Sequence, residues 1–232
     1  MAYTKDKKFI GKMFDEISPT YDKLNHLLSG MQDRKWRKKA VNYLKSQSSE
    51  YPNILDLASG SGDLAQEFLK LETDKLYSVD LSIEMLKINK SKINSNVNLP
   101  VKAEAEHLPF SGNFFNLIGI GFGVRNFDNL KNCIKEIYRV TSPGGRFLTI
   151  EMFKPGKSGF FQKLFKLYFK NVLPKLGKIL SKSDYAYDYL FDSVDNFITV
   201  REYSSILEEA GFKTHYLKNN FLGIVNTVVA VK

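Results

Sequence analysis

A single cysteine, Cys133, stands in the 232 residues, so no disulfide can close within the chain. That scarcity excludes a disulfide-stapled fold and fits a reducing compartment. No apolar run approaches the roughly 18 residues of a membrane-spanning helix. The opening stretch, MAYTKDKKFIGKMF, lacks the apolar core of a secretory signal. The expectation is a cytoplasmic protein, at most peripheral to a membrane. Three histidines, His26, His107 and His215, are scattered without metal-ligand spacing, so no metal is expected. Internal repeats and low-complexity linkers are absent.

Charge and aromatic rings are plentiful. Lys and Arg number 34 against 25 Asp and Glu, a net charge of +9. Such a balance favours an acidic substrate, an anionic membrane or nucleic acid as partner, and equally describes a lysine-rich soluble surface. Phe (18) and Tyr (12) exceed ordinary core needs and suggest an apolar pocket or greasy surface. The length and 43% hydrophobic content suit one domain with a sizeable core.

The order of elements is informative. Residues 8–46 read as helical, ending before Pro52. Strands at 53–57, 75–80, 99–103, 114–120 and 146–151 then alternate with helices at 63–71, 83–92 and 128–140. Pro143, Gly144 and Gly145 read as a turn. The alternation argues for a doubly wound α/β fold, a mostly parallel sheet with helices on both faces. The tail breaks the rhythm. After a helix at 200–210 come two β-rich runs, 213–218 and 223–231, too close for a crossover helix, so they pair antiparallel. The division expected is a helical lid (1–50), a core (53–155), a helical cap (156–198) and a closing helix and hairpin (199–232).

The first strand feeds NILDLASGSGDLA, a glycine turn that opens a helix. In open α/β sheets such turns hold ligands, and glycine lets the backbone approach them closely. Gly60, Gly62 and Ala65 satisfy the loose dinucleotide spacing. Asp80 ends the second strand, where a carboxylate can accept both hydroxyls of a ribose. A phosphate, a dinucleotide and a sulfonium nucleoside are all admissible guests. Asp56 and Asp63 put negative charge beside the turn, which favours a cationic sulfonium over a pyrophosphate; the terminal hairpin favours it too. Asp63 also suits the positive end of its helix.

The segments FDEISPTYDKLN, LDLASGSGDLA, AEAEHLPF, GFGVRNF, YRVTSPGGRFLTIEMFKP and SDYAYDYL span nearly the whole chain. Their combination resembles the ubiquinone/menaquinone-biosynthesis C-methyltransferases, within the class I S-adenosylmethionine-dependent methyltransferases. The resemblance implies a Rossmann-like seven-stranded sheet with a reversed last strand. It implies S-adenosylmethionine as cofactor and a prenylated quinol, a menaquinone or ubiquinone precursor, as substrate. Carried over residue by residue, Gly60 and Ser61 line the methionine part of the donor, and Asp80 takes the ribose. Glu104 and Ala105 meet the adenine, and Gly121 lies beside the methyl group. Glu104 stands where the family usually has Asp or Asn, Gly121 where Ser is common, and Val228 where a His is usual.

Methylating a ring carbon requires alignment and an ionised ring hydroxyl. Arg125 and Asn126, in GFGVRNF, are the expected catalytic pair, binding that hydroxyl or helping it ionise. The alternative for Arg125 is a pairing with a structural carboxylate. Tyr21 and Asn25 are expected to close the substrate pocket, and His26 is the one histidine worth testing as a base. Residues 159–180, GFFQKLFKLYFKNVLPKLGKIL, carry an apolar helical stripe with lysines opposite. This suits an anionic membrane surface, a channel for an isoprenoid tail, or an ordinary packing or homodimer helix. An RNA base is a weaker acceptor, because no appended basic domain or stacking platform is evident, and no nucleic-acid partner is expected. A nucleotide-binding module without catalysis is the remaining alternative.

Overall fold

The computed structural model describes residues 5–156, 159, 162, 167 and 185–232. Three helices open the chain: α1 (Lys7–Ile17), α2 (Tyr21–Leu28) and α3 (Gln32–Gln47). The expected single helical region is broken twice. Ser18-Pro19-Thr20 removes a backbone donor between α1 and α2. Gly30 and Met31, both left-handed (φ 58° and 61°), break the chain between α2 and α3.

The alternating part follows as β1 (Asn53–Leu57), α4 (Asp63–Phe68), β2 (Lys75–Asp80), α5 (Ile83–Lys92), β3 (Asn98–Lys102), β4 (Phe115–Gly121), α6 (Leu130–Val140) and β5 (Thr141–Met152). Then come α7 (Ala186–Asp195), α8 (Val200–Glu209), β6 (Lys213–Phe221) and β7 (Val225–Val231). The seven strands form one sheet in the order β3-β2-β1-β4-β5-β7-β6. β7 slots between β5 and β6 and runs antiparallel to both. The expected doubly wound sheet with a reversed last strand is therefore present.

Sequence dictates each placement. β1, β4 and β7 are mostly apolar, buried on both faces, and lie inside the sheet. β6 carries Lys213, His215 and Lys218 and takes the edge, where charge discourages further pairing. Alternate residues feed opposite core layers. Leu55, Leu57, Ile118 and Ile120 meet Ile134 and Ile137 of α6 and Leu207 of α8. Ile54, Leu117, Leu148 and Ile150 meet Val41 and Leu44 of α3 and Phe68 of α4. Helix starts are capped by side chains: Ser82 accepts from Met85 N, Asn129 from Asn132 N, and Thr199 with Glu202 forms a reciprocal capping box.

Two boundaries differ from expectation. The helix after the glycine turn stops at Phe68, short of Leu71. Pro143-Gly144-Gly145 lies within β5 as an irregularity that shifts its register against β4, with Gly144 at φ 74°. Of the basic aromatic stretch 159–180, only Gly159, Gln162 and Leu167 are described, so its helical stripe lies outside the described residues. Among the described residues, no helix is long and apolar enough to cross a membrane.

Gly119 tests the sheet–helix packing. A Cβ there would fall onto the Phe68 ring, whose Cε2 would be 2.7 Å away. Gly119→Val should destabilise the fold by about 1–3 kcal/mol through overpacking. Urea unfolding should show a lowered midpoint with an unchanged slope.

Candidate active site

Strand order reverses between β1 and β4, and the carboxyl ends of β1 to β4 open there into a cleft of about 820 Å³. Gly60, Asp80, Glu104, Ala105 and Gly121 all line it. Gly60 has φ 51°, and a Cβ on it would meet only Tyr21 Cε1, at 3.9 Å, so the turn faces open space. Asp80 ties the turn to the end of β2: one carboxylate oxygen accepts from Gly60 N and the other from Ser82 N, each at 2.8 Å. Burial pushes the Asp80 carboxyl up, and those backbone donors oppose the shift.

The N-terminal helices cover the cleft. Lys7, Ile10, Gly11 and Phe14 of α1 form one wall. Lys7 donates to Glu104 at 2.7 Å and also pairs with Glu106, so the residue expected at the adenine is held by a cation from the lid. The Lys7 bond draws the Glu104 carboxyl below its usual range. Asp15 of α1 accepts from the Ser82 hydroxyl at 2.5 Å, linking the lid to the start of α5.

Ser61 is placed differently from the expectation. It is not part of the cleft wall; its buried hydroxyl donates to Asp22 of α2. Asp22 also pairs with Lys92 (2.8 Å), and Lys92 with Asp63. Asp63 lies 3.3 Å from Arg37, which pairs with Asp33 at 2.6 Å. His26 Nδ1 meets Asp33 at 2.7 Å, and its Nε2 lies 3.7 Å from Asp63. Both ring nitrogens of His26 thus face carboxylates rather than a cavity. Asp22 and Asp33 are buried enough to raise their carboxyls, but their partners win and hold both below the usual range.

Asp56 contrasts with them. It is fully enclosed, and neither oxygen has a hydrogen-bond partner that meets bonding geometry among the described residues, though the nearby Ala65 N–H opposes the effect of burial. Burial pushes its carboxyl well up.

A second cavity, about 1190 Å³, adjoins the cleft. Met13, Trp36, Met152, Leu190, Phe221 and Val225 make it mostly apolar, with Asn25, Arg37 and Arg125 in its walls. Phe14, Tyr21 and Phe122 line both cavities. Arg125 and Asn126 straddle the junction, Asn126 in the cleft wall and Arg125 in that of the second cavity. Arg125 is buried and does pair with a carboxylate: Nη1 donates to Glu151 (2.7 Å) and to the Phe122 carbonyl (2.6 Å), and Nε to Ser193 (3.3 Å). Burial opposes its charge most, but Glu151 together with Tyr21 and Tyr189 outweighs it, and the pKa is raised. Asn126 Oδ1 accepts from Tyr189 at 3.0 Å.

A nucleoside-sized cleft thus lies at the strand reversal, with a carboxylate at the tip of β2. The ubiE/COQ5 methyltransferase family model matches residues 1–232. The chain belongs to that family. It is similar to a demethylmenaquinone methyltransferase of Chlorobaculum tepidum, 44% identical over 92% of this chain and 88% of that one. It is also similar to a ubiquinone/menaquinone biosynthesis C-methyltransferase of Rickettsia bellii, 36% identical over 94% and 90%. Among solved structures, an S-adenosylmethionine-dependent methyltransferase from Thermotoga maritima superposes with TM-score 0.65 at 17% identity, covering 96% of this chain and 99% of that one. One from Aquifex aeolicus superposes at 0.59 and 17%, covering 83% and 88%. The fold is that of the class I methyltransferases, and the enzyme uses S-adenosylmethionine as methyl donor. The cleft fits this donor. Gly60 leaves room along its turn, Asp80 offers a carboxylate, and Val79, Leu81, Met85 and Phe127 give apolar walls for a base.

Sequence reasoning missed Lys7, Asp22, Asp33, Arg37, Lys92, Glu151 and Tyr189. The four-residue spacing of Asp33 and Arg37 in QDRKWR was a usable helical signal. The others meet across long separations that carry no local pattern.

Asp56 yields a pH prediction. Its folded pKa is raised, so protonation removes the charge-related part of its burial cost, and that part grows as pH rises from the unfolded toward the folded pKa. Asp56→Asn mimics the neutral form. Thermal melts without ligand should show the Asp56→Asn variant gaining stability over the parent at pH 8 and gaining less at pH 5.

Proposed function

We propose that this methyltransferase methylates a ring carbon of a prenylated quinol, foremost demethylmenaquinol, with 2-methoxy-6-polyprenyl-1,4-benzoquinol as the other admissible acceptor. The observation that supports this reading most is the junction: a nucleoside cleft opens beside a larger, apolar cavity that carries a fixed cation in its wall. The names of the similar enzymes, one for demethylmenaquinone and one for ubiquinone and menaquinone biosynthesis, support a quinone-type acceptor.

Gly60, Asp80, Glu104, Ala105 and Gly121 would hold the donor, with Ser61 supporting the turn through Asp22. S-adenosylmethionine supplies, when bound, an electrophilic methyl group. The chain must then hold and activate the acceptor. Arg125 remains cationic, so it does not take a proton. Its Nη2 has no hydrogen-bond partner among the described residues and is left to donate to a ring oxygen. That charge favours the phenolate, whose proton leaves to water before the junction closes. Asn126, fixed by Tyr189, supplies an amide beside the same oxygen. Tyr21 keeps its proton, because burial raises its pKa, and with Asn25 it closes the junction against water. A prenyl tail would extend along the apolar cavity. We assign residues 159–180 to an anionic membrane surface; failure to float with anionic vesicles would remove that assignment.

One incubation tests the reading. Labelled S-adenosylmethionine with demethylmenaquinol and the benzoquinol precursor in competition should yield labelled menaquinol foremost; label in neither quinol overturns it. Arg125→Lys, which keeps a partner for Glu151, should lower kcat by about a hundredfold, the scale for losing a donor to a developing oxyanion, while S-adenosylhomocysteine still binds. Asp80→Asn should weaken S-adenosylhomocysteine about 10- to 100-fold by calorimetry, as expected for losing charge-assisted hydrogen bonds.

A further inference from the structure

Phe122 carries a strain that the reading above leaves unused. It follows β4 directly and has φ 63°, a left-handed conformation that is rare for a bulky aromatic. Ala58, at the end of the neighbouring β1, is left-handed as well (φ 52°). The two turns interlock: a Cβ on Gly123 would lie 2.6 Å from the Ala58 Cβ.

Four contacts hold Phe122 in place. Its N–H donates to the Ile150 carbonyl at 2.7 Å, and its own carbonyl accepts from Arg125 at 2.6 Å. The Arg37 guanidinium lies over its ring at 5.5 Å, and the Trp36 ring is 6.3 Å away. Its ring also borders both cavities. Glycine would form this turn without strain, so the backbone bonds do not require an aromatic side chain here. Strain of this kind persists where the surroundings over-determine it, characteristically at functional sites. What these contacts specify is the place of the ring.

We propose that Phe122 is a positioning and specificity-determining residue for the methyl acceptor, its ring being the platform on which the acceptor ring stacks where the two cavities meet. The inference rests on the reading of the acceptor as an aromatic quinol. It gives Arg125 a second task, since the same guanidinium that faces the acceptor latches the Phe122 carbonyl.

Two variants test it. Phe122→Leu keeps apolar volume and loses the aromatic face; Phe122→Tyr keeps the face. Trp36, the sole tryptophan, lines the acceptor cavity and reports its occupancy by fluorescence quenching with a soluble naphthoquinone. Phe122→Leu should raise the KM for demethylmenaquinol and the quinone concentration for half-quenching by about tenfold, the scale of one aromatic stacking contact. Its S-adenosylhomocysteine affinity and thermal midpoint should stay near the parent's, and Phe122→Tyr should restore both acceptor readouts. A Leu variant with parental KM and quenching overturns the platform. So does one whose midpoint and S-adenosylhomocysteine affinity fall together with turnover, because that is plain packing. A parent enzyme that neither methylates a quinol nor is quenched overturns the acceptor reading and the platform with it; a parent active on quinol beside an indifferent Leu variant overturns the platform alone.

Discussion

The N-terminal helices are held to the glycine turn by a half-buried ionic chain: Ser61, Asp22, Lys92, Asp63, Arg37, Asp33 and His26. Without it the N-terminal helices have little reason to stand where they do. α2 is eight residues long, and a helix of that length is marginal in water. Apolar contacts gather α1 and α2 against Met85, Ala186 and Tyr189, but such contacts do not fix rotation or register. Charges removed from water do, because removing one partner of a buried pair strands the other at about 3–5 kcal/mol. The chain also crosses elements in a useful order. Arg37 belongs to α3, Asp63 starts α4, Lys92 ends α5 and Asp22 belongs to α2. The helix that carries the glycine turn is thereby set relative to the helices that roof the cleft.

A second set of polar contacts acts on the floor of the site. Asp80 holds the turn after β1 to the turn after β2, and Glu151 holds Arg125 at the turn after β4. Each carboxylate closes onto backbone N–H groups, Gly60 and Ser82 for Asp80, Arg125 and Met152 for Glu151, and Glu151 also binds the Arg125 guanidinium. Loops at the strand ends lack a ladder of their own, and such bonds supply the missing donors and acceptors. The apolar strands below supply rigidity, and the carboxylates supply direction.

The sheet is legible in the sequence because its signal is local. Asn53–Leu57, Lys75–Asp80 and Val225–Val231 announce themselves as short apolar runs between turn residues, and the hairpin spacing forces antiparallel pairing. The irregularity in β5 is hidden, because Pro143, Gly144 and Gly145 read as a turn whether or not the strand continues through them. At the site, Gly60 and Asp80 are legible from their places at strand ends, whereas Gly121 enters only through the family resemblance. Glu104 also enters through the resemblance, and its Lys7 partner lies 97 residues away. Ser61 is a donor contact by resemblance, and nothing local shows that Asp22 takes its hydroxyl. A carboxylate partner for Arg125 is foreseeable as a type of contact, though Glu151 is not identifiable as that partner.

The two roles considered for Arg125, structural ion pair and acceptor-binding cation, are compatible in this geometry. A guanidinium is planar and presents donors in several directions. Nη1 and Nε bind Glu151, the Phe122 carbonyl and Ser193, which fixes the plane and leaves Nη2 aimed elsewhere. An unpaired arginine in the same cavity wall would be costly to bury and free to change rotamer. Pairing therefore does not compete with a role toward the acceptor; it makes the cation stationary. A stationary donor needs no reorganisation as charge develops on a ring oxygen, and that is the condition under which a buried charge lowers a barrier instead of merely binding its ligand.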